Sequence, residues 1–135
     1  MKKCLTFVLF SIIIFTYSNS YAARLHHEKE YQSAWCKESN PDLPGTDPKI
    51  EYYLPDRTRV DCLTTTHAIE FDFANKWAES GFQSLHYAGE TGTKAGIAII
   101  VEDEIKDQKY IDRIKKIIQR NCLQIDIWIV KPDIL

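Results

Sequence analysis

The chain has 135 residues, with 17 basic and 19 acidic side chains and a formal net charge of −2. Its length allows one compact domain and not two. That charge excludes a strongly basic nucleic-acid binder, so any grip on phosphate must come from a local patch.

Met1-Lys2-Lys3 is followed by 13 residues, Leu5 to Tyr17, that carry no charge. Ser20-Tyr21-Ala22 then supplies a small-x-small cleavage pattern, so residues 1–22 are predicted to be a secretory signal peptide cut after Ala22. The apolar run is too short to span a bilayer, which takes about 20 residues. Cys4 precedes the run, which is the wrong side for a lipid-attachment cysteine. The mature protein, 23–135, is expected to be soluble, free of any membrane anchor, and secreted or periplasmic. Losing two lysines and no acid shifts its net charge from −2 to −4.

A first helix is predicted over His26–Lys37, where Pro and Gly are absent and Tyr31, Ala34 and Trp35 form an apolar stripe. Residues 39–48 hold three prolines and a glycine and read as a loop. Strands follow at Lys49–Leu54, Arg59–Leu63 and His67–Phe73, joined by turns at Pro55–Thr58 and Thr64–Thr66. A helix over Asn75–Gly89 is predicted to bury Trp77, Ala78, Gly81, Leu85 and Ala88. Gly81 weakens a helix by about 1 kcal/mol against Ala, which suggests that close packing requires it. Glu90–Lys94 reads as a loop. Gly96–Val101 is an apolar run of the kind covered on both faces of a sheet. The segment Asp107–Asn121 is amphipathic, with Ile111, Ile114, Ile117 and Ile118 inward. A last strand, Leu123–Val130, alternates Ile125, Ile127 and Ile129 with Gln124, Asp126 and Trp128. Hairpin-joined strands that give way to helical crossovers predict an α/β fold, a mixed sheet flanked by helices.

Outside the leader there are three cysteines, Cys36, Cys62 and Cys122. An oxidising compartment permits one bridge and leaves one thiol over, and all three pairings are open. Cys62 is expected to face the core together with Val60. Lys106, Lys109, Arg113, Lys115, Lys116 and Arg120 crowd the amphipathic helix, either as a solvated face or as a phosphate-binding one.

The most informative stretch is Arg59 to Phe73. Side chains alternate along a strand, so Ile69, Phe71 and Phe73 share one face while Glu70 and Asp72 share the other, roughly 7 Å apart. Asp61 on the preceding strand faces the same patch. Carboxylates this close repel unless a cation sits among them, and a hard divalent ion with oxygen ligands is the usual solution. The plain alternative is a hairpin with one solvated acidic face. The following helix carries Lys76, Glu79, Gln83 and Tyr87 at spacings of three, four and four, which places them on one side. Its first turn must lie near the end of the Glu70–Asp72 strand, so Lys76 can reach back to the carboxylates. Glu51, Glu30, His67 and His86 are weaker candidates nearby.

Asp61, then Glu70, then a helix bearing Gln83-Ser-Leu-His-Tyr87 resembles the PD-(D/E)xK nuclease superfamily, the restriction-endonuclease-like fold. Its αβββαβ core is similar to the order read here, which adds a C-terminal helix and strand. The Gln-x-x-x-Tyr motif is similar to that of the recombination-exonuclease branch, and these stretches also look like small secreted bacterial proteins. The resemblance implies that Asp61, Glu70 and the backbone carbonyl of Phe71 hold Mg²⁺ or Mn²⁺. It implies catalytic roles for Asp61, Glu70, Asp72, Lys76, Gln83 and Tyr87, with nucleic acid as partner, DNA ahead of RNA. The lysine that the family pattern puts two residues after Glu70 is Asp72 here, and Lys76 is the position that can replace it. The function expected is metal-dependent phosphodiester hydrolysis. A catalytically silent nuclease-fold domain, binding nucleic acid or a protein partner, is the alternative.

Overall fold

A computed structural model describes residues 23–135, and the predicted signal peptide, 1–22, lies outside the described residues. The first helix, α1, spans Glu28–Trp35. It starts where the Glu30 carboxylate accepts the His27 backbone N–H at 2.6 Å, satisfying one donor of the open helix end. Three strands follow, β1 (Lys49–Tyr53), β2 (Arg59–Leu63) and β3 (His67–Phe73). A 3-10 turn, Ala74–Lys76, leads into α2 (Trp77–Thr91). Then come β4 (Lys94–Ile100), α3 (Glu104–Arg120), β5 (Ile125–Val130) and a final 3-10 turn, Pro132–Ile134.

The fold is α/β. One sheet has the order β1-β2-β3-β4-β5, antiparallel through β3 and parallel from β3 to β5. The two parallel connections run in the same direction along the sheet. Right-handed crossovers therefore put α2 and α3 on one face, where Ile97, Ile99, Ile111, Ile114 and Ile125 form a core. On the other face α1 covers the sheet, with Tyr31 and Trp35 against Ile69, Phe71, Phe73 and Ile100. Strand β4, between β3 and β5, is buried on both faces after its first residue, as its unbroken apolar run predicts.

Several boundaries differ from the sequence expectation for local reasons. The α2 helix runs past Gly89 to Thr91 and stops at Gly92, whose φ of 68° turns the chain out of the helix. The α3 helix begins three residues before Asp107, because the Asp103 carboxylate caps the Lys106 N–H at 3.1 Å. On α2 the most buried line is Ser80, Ser84 and Tyr87, while Ala78 is exposed. Two serines are tolerated there because their hydroxyls donate to the Trp77 and Gly81 carbonyls of the same helix. A Cβ on Gly81 would meet only Ile114 Cδ1, at 3.4 Å, so close packing does not require that glycine. Ile117, expected inward, is 41% exposed; on β5 Ile129 is 39% exposed, whereas Trp128 packs against Trp35. Gly96 is the true close approach: a Cβ there would lie 2.7 Å from the Trp128 ring.

Val60 and Cys62 do not share a core. Cys62 joins the α1 layer and bridges Cys36, while Val60 packs with Leu54, Ala68 and Tyr87. The cause is an interruption of both ladders at one level of the sheet. Ile50 pairs with Cys62 and Tyr52 with Val60, but Glu51 and Asp61 between them are unpaired, and Glu51 has a φ of 52°. On the other side β2 pairs with β3 only at Cys62–Ile69 and Leu63–Ala68. Simple alternation fails across such a break. Cys122 is the exposed free thiol.

Candidate functional site

Beyond the Cys62–Ile69 pair, β2 and β3 separate, and the gap becomes a cleft of about 400 Å³. The backbone around the gap is satisfied by side chains in place of a ladder. The Asp61 carboxylate accepts the Phe71 N–H at 2.9 Å, and the buried Gln32 amide of α1 donates to the Asp61 carbonyl at 2.5 Å. Asp61 is thereby held rigidly, with one oxygen committed to β3. The Phe71 ring lies in the α1 core, so this residue lines the cleft through its main chain. In a strand the N–H and C=O of one residue point to the same side, so the Phe71 carbonyl also faces the gap.

All the predicted site residues line this one cleft: Asp61, Glu70, Phe71, Asp72, Lys76, Gln83 and Tyr87. Glu70 and Asp72 project from the face opposite Ile69, Phe71 and Phe73, as alternation requires. Lys76 does reach back, and its ammonium lies 3.3 Å from Asp72 Oδ1. The Asp72 carboxylate also accepts the Phe73 N–H at 3.0 Å. Gln83 and Tyr87, one helical turn apart on α2, stand together at the cleft wall.

Five further residues line the cleft, Glu28, Tyr53, Thr58, Arg59 and Glu79, none of them named as a site group from the sequence. Glu28, in the first turn of α1, approaches Asp72 and Asp61 through the gap. No periodicity relates α1 to β3, so nothing in the sequence signalled it. Arg59 and Tyr53 line the opposite rim, and Glu79, one turn after Lys76, adds another acid. The weaker candidates lie elsewhere. Glu30 caps α1, and Glu51 pairs with Lys29 at 2.9 Å and Arg59 at 3.4 Å. His67 bonds Asp126 at 2.9 Å and Thr66 at 2.8 Å, and His86 bonds Asp56 at 2.8 Å.

Crowding and burial dominate the electrostatics. Burial, reinforced by Asp61 and Asp72, pushes the Glu70 carboxyl up to about 9. Burial raises Asp61 too, opposed by the Phe71 N–H and by Arg59. Burial lifts Glu28 to about 7, with Asp72 and Asp61 adding to the rise. Asp72 rises to about 6 by burial and is held from going further by Lys76. Tyr87 is raised to about 12 by burial and by the neighbouring acids, so it remains a neutral donor. Five acids, Glu28, Asp61, Glu70, Asp72 and Glu79, thus line a space served by one lysine and one arginine, and Glu70 above all keeps at neutral pH a proton that an exposed carboxylate would lose.

Asp61, Glu70 and the Phe71 carbonyl are the groups that could hold a divalent cation here. Asp61 and Glu70 line the same cleft, and Glu70 Oε2 is buried without a hydrogen-bond partner. A buried, unpaired carboxylate oxygen beside a second acid is where a positive charge is most stabilising. Among the described residues no group of three or more His, Cys, Asp or Glu side chains is arranged to hold a metal ion by itself. In comparisons with known proteins, the chain matches no protein-family model, no curated protein and no solved structure.

Proposed function

We propose that the cleft is the active site of a metal-dependent phosphodiester hydrolase acting on nucleic acid, with a restriction-endonuclease-like arrangement of its core. The observation that carries this reading is the buried, unpaired Glu70 oxygen beside Asp61, in a cleft that also holds Lys76. Asp61, Glu70 and the Phe71 carbonyl would hold Mg²⁺ or Mn²⁺. When bound, the ion supplies a lowered pKa for a bound water and charge neutralisation for the phosphate oxygens. Lys76 is half-exposed on a flexible stem, so it can leave Asp72 for a phosphate oxygen and stabilise charge developing there. Tyr87, neutral, would donate a hydrogen bond to the same phosphate group, with Gln83 beside it on the cleft wall as a second polar contact. Glu28 titrates near 7 and is suited to accept the proton of the attacking water. The Cys36–Cys62 bridge supports an oxidising setting, secreted or periplasmic.

The second reading, a silent nuclease-fold domain, is favoured by one feature: Asp72 stands where the family pattern has lysine, and it engages Lys76 directly. Incubation of plasmid and linear duplex DNA with Mg²⁺ or Mn²⁺ separates the two. Hydrolysis that disappears in Glu70→Ala supports the first. Metal binding without cleavage supports the second, and cleavage undiminished in Glu70→Ala removes the cleft from the reaction.

A further inference from the structure

The α3 helix presents a line of cations that the cleft chemistry does not use. Lys106, Lys109, Arg113, Lys116 and Arg120 follow one another at spacings of three, four, three and four, so they fall along one edge of the helix. All five are exposed, and the buried side of the helix is Ile111 and Ile114. The helix carries six basic and three acidic side chains, a net of +3 within a chain whose overall charge is −2.

Its acids are engaged by groups other than the line, although Asp112 stands within a helical turn of Lys109 and Lys116. Glu104 bonds Lys131 at 2.6 Å, Asp112 accepts from Gln108 at 2.8 Å, and Asp107 is buried and turned to the Asp103 N–H. Lys106 pairs with Asp103 at 3.0 Å. Lys109, Arg113, Lys116 and Arg120 have no ion pair among the described residues. Charge is therefore segregated, which side-chain pairing on a merely solvated surface would tend to erase. The line rises about 21 Å along the helix, and its cations are about 4.5–6 Å apart in rise.

We propose that this edge of α3 is a track for the sugar–phosphate backbone of a nucleic acid. The inference rests on the reading of the cleft as a phosphodiesterase site and names how its polymeric substrate is held. Position supports it. Lys106 and Lys109 border a second surface cleft with Arg24 and Asn75, whose acids, Glu102, Asp103 and Asp107, are engaged by Tyr31, Lys106 and the Asp103 N–H respectively, and Asn75 is the sequence neighbour of Lys76. Arg24 is itself fixed there, stacked 3.8 Å over the Phe73 ring and hydrogen-bonded to Asn75. A strand running along α3 towards its N-terminus would thus be led to the residue beside the cleft lysine. The track also answers an electrostatic problem, because the acidic cleft by itself repels phosphate at a distance and a basic approach offsets that.

The test is fluorescence anisotropy of the full chain with labelled duplex DNA, single-stranded DNA and RNA, in EDTA, over a salt series. Five phosphate contacts predict a slope of log K against log salt of about −4 to −5 for duplex and about −3 to −4 for single strands. Lys109→Glu combined with Arg113→Glu and Lys116→Glu, all at exposed sites, should weaken binding by more than about tenfold and flatten the slope by about 3. Unchanged affinity and slope in that variant overturn the track. So does binding of phosphatidylserine vesicles by the wild type with no binding of any nucleic acid. Metal-dependent cleavage with a KM unaffected by the triple change would leave the hydrolase reading standing and remove the track. Stripe-dependent binding with no cleavage would do the reverse.

Discussion

Glu70 is the residue on which the chemistry turns, and its ionisation leaves a thermodynamic trace. Its carboxyl is near 4.5 when unfolded and is pushed up to about 9 in the folded chain. A raised acid contributes stability that is complete below pH 4.5 and is lost as pH rises towards 9, because the folded state then has to give up a proton it holds more tightly. The metal-free protein should therefore lose stability between about pH 5 and 8. Glu70→Gln cannot ionise, so in EDTA it should show a flatter profile and be more stable than wild type at pH 8. Urea melts across that pH range measure this, and a wild type whose stability rises steadily through the range would contradict it. Lys76 acts on a different quantity. Lys76→Ala should lower metal-dependent cleavage by about 100-fold or more while leaving the metal-induced rise in Tm in place. A loss of both would make Lys76 a structural partner of Asp72 only.

At the level of elements, the site exists because β2 and β3 stop pairing at Asp61 and α1 closes over the gap. The Cys36–Cys62 bridge ties the end of α1 to β2 at that level. Replacing both cysteines by alanine should cost about 2–4 kcal/mol and should weaken metal binding as well, since Gln32 and Glu28 ride on α1. Urea denaturation and metal titration of the pair variant check the two halves separately. Two glycines give opposite expectations. Gly81→Ala should stabilise by up to about 1 kcal/mol, because the helix gains propensity and the added methyl only touches Ile114. Gly96→Ala should destabilise, because Trp128 or Ile69 must move to admit a Cβ.

For the molecule as a whole, legibility followed periodicity. The order of helices and strands, the doubly covered β4 and the opposition of Glu70–Asp72 to Ile69–Phe71–Phe73 all depend on local repeats of 2 or 3.6, which a sequence displays directly. What stayed hidden depended on contacts between distant segments. Glu28 enters the cleft only because α1 packs on β3. The Glu51–Asp61 interruption, which sends Val60 and Cys62 to different cores, follows from a carboxylate taking a backbone donor on the next strand. Disulfide choice belongs to the same class, since only the packing of α1 against β2 selects Cys36 over the exposed Cys122. In the function proposed here, two buried acids that hold protons when metal-free, Asp61 and Glu70, would exchange them for a divalent ion. Calorimetric titration of the full chain with Mn²⁺ at neutral pH tests it. The account predicts binding accompanied by proton release, seen as a heat that changes with the ionisation enthalpy of the buffer, and its loss in Glu70→Ala. No binding heat in any buffer, or binding with no proton released and no dependence on Glu70, would contradict it.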